Sequence, residues 1–285
     1  MNDIVEALDA ADQKYPNVTV ESSQDLKRTW SQELSSQLAI LISSRLKGMP
    51  AFESAVHGER PVVRPRGGNK RTDVRVSDEI NGPHLIISIK TTNFRDFQKK
   101  SRISDFNHNM SRFDDEFRSE AHEIHLRHPY CILIGLFFLP HESVIPRVKG
   151  NPSGFARWVN KLRERAGRDR TDSAHELFER IFVAPYVKQG DQRGAVAFFD
   201  VDKMPPLYGY PGDDDLLDLS KMLEEIQAIY NARNPVIANY GAPGSWKSGQ
   251  LGELPSTFEF LVDYGEVSTI SNVAGTVDHA PGEKN

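Results

Sequence analysis

The chain has a single cysteine, no apolar run long enough to cross a bilayer as a helix, and no excess of positive charge. Each shortage excludes something. One thiol, Cys131, cannot form a disulfide framework within a monomer, which fits a reducing cytoplasm. The opening Met1-Asn2-Asp3-Ile4-Val5-Glu6 is acidic and has no apolar signal core, so a cytoplasmic protein is expected. A net charge of −5 excludes a uniformly basic coat of the kind that binds nucleic acid without selectivity. Motifs for other chemistries are missing too. Gly241-Ala242-Pro243-Gly244-Ser245-Trp246-Lys247-Ser248 lacks the adjacent Gly-Lys of a phosphate loop, and no Gly-x-Ser-x-Gly elbow occurs.

What is present is a local charge pattern. From Arg60 to Asp105 there are eleven Lys/Arg against five Asp/Glu, and from Arg147 to Arg170 eight against two. Compensating acid sits elsewhere, notably at Asp213-Asp214-Asp215. A local basic groove on an acidic protein is therefore expected.

The hydrophobic pattern predicts the elements. Residues 25–47 carry Leu26, Trp30, Leu34, Leu38, Leu41 and Ile42 on one helical stripe, with Asp25 placed to cap it. Pro50 to Val56 can restart a short helix. Pro61-Val62-Val63-Arg64 is strand-like. Arg71 to Val76 and Leu85 to Lys90 read as two strands joined by a turn, from Ser77 to His84, that contains Asn81-Gly82-Pro83. Residues 111–127 predict a helix, Tyr130 to Leu139 a strand buried on both faces, 153–168 and 172–180 further helices. Strands are expected at 180–187 and 195–201, and a helix from Asp213 to about Ala232, with acid in its first turn. Thr257 to Tyr264 resembles a strand, and about the last twenty residues read as disordered. The expected class is α/β with a mixed central sheet flanked by helices. Residues 1–24 read as an N-terminal extension, 25–235 as one domain and 236–285 as a C-terminal extension.

The hairpin carries the chemistry. Asp73 stands where one strand begins and Lys90 where its neighbour ends, and Ser88 shares a face with Lys90 at period two. A carboxylate that holds a divalent cation beside an ammonium suits phosphodiester hydrolysis. The same two residues taken singly also fit an exposed strand start and a solvated edge lysine.

Asp73, fourteen intervening residues, then Ser88-Ile89-Lys90 resembles the PD-(D/E)XK nuclease signature. Ile87-Ser88-Ile89-Lys90-Thr91, the basic linker through Asn109 and Arg112, a helix with Glu120 and His125, and Pro129 ahead of an apolar strand together resemble type II restriction endonucleases. The likeness spans roughly residues 25–140. It implies a restriction-endonuclease-like core, Mg²⁺ as cofactor, a double-stranded DNA substrate and a homodimer. It implies that Asp73 is a metal ligand and Lys90 the catalytic lysine. The middle acidic position of the motif falls on Ser88. Related nucleases bring a glutamate from the helix ahead of the sheet, and Glu53 and Glu33 are the candidates. Glu53 is preferred, because Phe52-Glu53-x-x-Val56 resembles that helix pattern. Two alternatives stand beside it: a non-catalytic DNA-binding protein with a degenerate nuclease fold, and a repair or defence nuclease without sequence specificity.

Lys99, Lys100, Arg102, Asn107, Asn109 and Arg112 could track a DNA backbone, or form a solvated charged loop. Arg157 to Arg170, with Trp158 inside, could contact DNA or be a plain exposed face. His122, His125 and His128 recur every three residues, but no cysteine cluster accompanies them and no zinc site is expected. His125 is read as a satisfied, half-buried histidine.

Overall fold

In the computed structural model, the described residues are 3–58, 72–78, 82–95, 106–107, 109–146 and 148–234. They form three layers: two helical layers enclose a seven-stranded mixed sheet. In chain order the elements are α1 (Val5–Lys14), α2 (Gln24–Lys47), β1 (Val56–His57), β2 (Val74–Asp78), β3 (Gly82–Thr91), α3 (Met110–Arg127), β4 (Ile132–Pro140), α4 (Gly154–Arg163), β5 (Arg180–Tyr186), β6 (Phe198–Asp200), β7 (Leu216–Leu217) and α5 (Leu219–Arg233). Strand order in space follows strand order in the chain. The β1–β2 and β2–β3 pairs are antiparallel, β3–β4–β5 are parallel, and β6 and β7 return antiparallel. The parallel pairs need long crossovers, and α3 and α4 supply them.

Period two divides the core. Leu85, Ile87 and Ile89 of β3, with Ile134, Leu136 and Phe138 of β4, pack under α1, α2 and α5. Ile86 of β3, with Leu133, Phe137 and Leu139 of β4, packs under α3 and α4. Such burial contributes about 1.5–3 kcal/mol for each large apolar side chain. β4 is buried at every position, as its unbroken apolar run predicts. Cys131 is buried, and desolvation pushes its thiol pKa well up, so it stays protonated. Among the described residues no helix is long and apolar enough to cross a membrane.

Several elements differ from the sequence reading. Residues 1–24 contain α1, whose Ala7, Leu8 and Ala11 are buried in the core beside α2. α2 is capped by Ser23, whose hydroxyl accepts from the Leu26 N–H, rather than by Asp25. The hairpin strands run further into the turn than expected, pairing Ser77 with Pro83 and Asp78 with Gly82. Gly82 there has φ +75°, a conformation that glycine adopts without a Cβ penalty. No helix forms over 172–180. The carbonyl of Thr171 accepts from Arg168 and that of His175 from His125, so side chains hold this segment in turns. Asp213–Asp215 make a single 3₁₀ turn and Leu216–Leu217 pair with β6. The helix starts only after Asp218, whose carboxylate accepts from the Lys221 N–H. The expected strands at 61–64 and 257–264 lie outside the described residues.

Candidate active site

The β2–β3 register places Val74 opposite Ile87 and leaves Asp73 beside the next part of β3. There the Asp73 carboxylate accepts the Ile89 N–H at 2.6 Å. Asp73 is thus fixed by the backbone of the same tripeptide that carries Lys90. Lys90 follows the alternation of β3 and faces α3.

α3 delivers a second carboxylate. Phe117, Glu120 and Ala121 fall at i, i+3 and i+4 and are buried together. Phe117 settles into a gap between strands, where a Cβ on Gly135 would lie 3.2 Å from its ring and 3.0 Å from Ile181. That docking sets the rotation of α3 and brings Glu120 Oε2 to 3.4 Å from Lys90 Nζ. The Glu120 side chain is 5% exposed and that of Lys90 15%. The ammonium also lies 5.8 Å from the Phe117 ring centroid.

Burial alone would lower the Lys90 pKa. The carboxylates of Glu120, Asp73 and Glu116 outweigh it and hold the pKa above the ordinary lysine value. Lys90 is therefore a fixed cation at neutral pH and not a proton acceptor. It can stabilise developing negative charge.

Ser88, at the motif's acidic position, lies on the same face as Lys90 and pairs across the ladder with Gly135. It is fully buried, and its hydroxyl makes no hydrogen bond among the described residues. A carboxylate at this depth would be desolvated beside the Phe117 packing, so the position takes a small side chain. The counter-charge for Lys90 comes from Glu120 on α3 instead.

Of the two glutamates proposed from sequence, Glu33 is engaged elsewhere. Glu33 pairs with Lys14 at 2.6 Å and accepts from Gln37, and the hydrogen bonds from Lys14 and Gln37 lower its pKa. It ties α1 to α2. Glu53 is exposed at the end of the 3₁₀ turn Pro50–Phe52. Glu120 is the residue that sequence reasoning did not assign. Its signal was present: a glutamate placed beside the apolar stripe of Phe113, Phe117, Ala121 and Ile124.

Mg²⁺ commonly takes one or two protein carboxylates and completes its shell with water and substrate phosphate. Asp73 and Glu120 each bring one carboxylate to the surroundings of Lys90. Among the described residues no cluster of three or more His, Cys, Asp or Glu side chains is placed to hold a metal. His125 is fully buried rather than half-buried, with Nδ1 3.1 Å from the His175 carbonyl and Nε2 3.4 Å from Glu179. Glu179 also takes the Leu133 N–H, Arg168 and Arg233, a buried junction of α3, α5 and the start of β5.

Of the expected DNA-tracking residues, Lys99, Lys100 and Arg102 lie outside the described residues. Asn109 is exposed at φ +61°, just ahead of α3. Arg112 is exposed, pairs with Glu116 at 3.4 Å and stacks on Phe113. Part of the basic run around Trp158 is tied into the fold, while Arg157 and Arg170 are exposed. Trp158 is buried and donates to the Phe106 carbonyl, Arg165 and Lys161 pair with Asp114, and Arg168 pairs with Glu179. Scans against family models, curated proteins and solved structures return no match for this chain.

Proposed function

We propose that the protein is an endonuclease that hydrolyses phosphodiester bonds of double-stranded DNA, in the manner of the type II restriction endonucleases its motif resembles. The observation that carries this reading is the meeting of Asp73, Lys90 and Glu120, from β2's leading edge, β3 and the crossover helix. The strand arrangement supports it: an antiparallel β1–β2–β3 followed by a helix and a parallel β4 suits a restriction-endonuclease-like core.

In this reading Asp73 and Glu120 would hold Mg²⁺, which supplies an activated water and neutralises phosphate charge. The Ile89 N–H fixes the Asp73 carboxylate in place. Lys90, kept cationic by its carboxylates, stabilises the extra charge on the phosphate as the P–O bond breaks. Asn109 and Arg112 flank the start of α3 and serve the DNA backbone.

One site cuts one strand, so the protein acts as a homodimer on a symmetric duplex. The surface we assign to the second copy carries exposed Ile145, Val148, Leu207 and Tyr208. These lie on two segments joined by Gly209 N–H to Val144 and Ser153 N–H to Leu207 hydrogen bonds. Plasmid DNA incubated with the protein tests the activity. Discrete fragments with Mg²⁺ and intact DNA without it are expected. Intact DNA in both, with retained binding, overturns catalysis in favour of a DNA-binding protein.

A further inference from the structure

A second feature lies along the same edge of the sheet. β3, β4 and β5 run parallel, and the segments leaving their carboxyl ends enclose a pocket of about 440 Å³. Small-molecule sites commonly measure about 300–1,000 Å³, and open α/β sheets bind ligands outside the carboxyl ends of their strands. Asn93, Phe94 and Arg95 follow β3, Glu142 follows β4, Lys188 follows β5, and Phe106 precedes α3.

The polar groups here are unequally served. Asn93 is partnered: it donates to the Thr91 hydroxyl and accepts from the Tyr186 hydroxyl. Lys188 is not. Its ammonium sits 3.8 Å from the Phe94 ring centroid and 4.1 Å from that of Trp30, and makes no ion pair among the described residues. Desolvation brings its pKa down to about 8. Arg95, exposed at the rim, stacks on Phe106 at 5.1 Å without a carboxylate partner among the described residues. Glu142 contributes an oxygen, Oε2, that makes no hydrogen bond among the described residues, with His141 Nδ1 3.3 Å away. The pocket thus combines two cations, two aromatic rings and one carboxylate with spare acceptor capacity.

We propose that this pocket binds one nucleotide unit of the nucleic-acid substrate, its phosphate at Lys188 and Arg95, its base against Phe94 and Phe106, and a base N–H on Glu142. A phosphate meets the two cations, a flat base fits the aromatic walls, and a donor edge meets the Glu142 carboxylate. This inference rests on the nucleic-acid substrate of the proposed function.

The test is calorimetric titration of the full chain, without metal, with each of the four deoxynucleoside monophosphates, with inorganic phosphate and with deoxyadenosine. Saturable binding of at least one monophosphate is expected, with phosphate and deoxyadenosine weaker. Lys188→Met and Arg95→Gln should each weaken it about tenfold, the loss of one charge-assisted hydrogen bond. Thermal melting checks the fold of Lys188→Met. Arg95 is exposed, so its variant decides if the other does not fold. Absence of binding by all four monophosphates, equal binding of inorganic phosphate, or wild-type affinity in Arg95→Gln overturns the proposal. Because no metal is present, the result is separate from cleavage. A chain that cuts plasmid but binds no nucleotide overturns the pocket alone. A chain that binds nucleotide but does not cut supports the pocket and overturns the nuclease reading alone.

Discussion

At the scale of the residue, the account turns on which carboxylate accompanies Asp73. Fixed strand periodicity made the meeting of Asp73 and Lys90 legible in the sequence, because a hairpin with a known turn sets which residues stand opposite. Glu120 was less legible. Its approach depends on the rotation of α3, and that depends on Phe117 filling the gap over Gly135. Of the two glutamates taken from the segments ahead of the sheet, Glu33 pairs with Lys14 and Glu53 is exposed. The expected outcome is that Glu120→Gln lowers the cleavage rate by about 10²–10³-fold, as for loss of a charge aimed at the reacting group. Glu33→Gln, Glu53→Gln and Ser88→Ala should retain cleavage near the unmodified level. Ser88→Ala should also leave stability unchanged or raise it by up to about 1 kcal/mol, since it removes an unsatisfied buried hydroxyl. Single-turnover cleavage of a labelled duplex and thermal melting read both effects.

At the scale of the element, side chains from elsewhere decided what local propensity left open. The helix expected over 172–180 is lost where Arg168 and His125 take main-chain carbonyls that a helix would need. The helix expected from Asp213 starts at Leu219 because Leu216 and Leu217 extend the sheet instead. Another long-range tie joins α3 to the end of α4. Asp114 accepts from Arg165 at 2.7 and 3.0 Å and pairs with Lys161 at 3.1 Å. Burial would raise the Asp114 pKa, but the Arg165 and Lys161 hydrogen bonds outweigh it and leave it lowered. A carboxyl whose folded pKa lies below its unfolded one stabilises the fold above the unfolded value, about 4. That contribution disappears as pH falls through the lowered folded value. Asp114→Asn should therefore cost on the order of 2 kcal/mol at neutral pH. The difference from the unmodified chain should shrink to nothing in strong acid. Urea unfolding across a pH series measures this, and a pH-independent difference contradicts the assignment.

At the scale of the whole molecule, the element order and the mixed sheet were legible because hydrophobic period and length distinguish buried strands from amphipathic helices. The place of α1 was not, since its buried face is small: Ala7, Leu8 and Ala11 fill a surface that only α2 defines. The surface assigned to a second copy could not be read from sequence either, because Ile145 and Leu207 are far apart in the chain and their segments are joined by loop hydrogen bonds. Sedimentation should give a dimer that Leu207→Glu converts to a monomer, and a monomeric unmodified chain would remove this part of the account. The most direct test of the central claim is plasmid cleavage by Asp73→Ala and Lys90→Ala beside the unmodified protein, at one Mg²⁺ concentration. The account predicts that both variants lose cleavage while gel-shift binding to the same DNA persists. Full Mg²⁺-dependent cleavage by Asp73→Ala would contradict it.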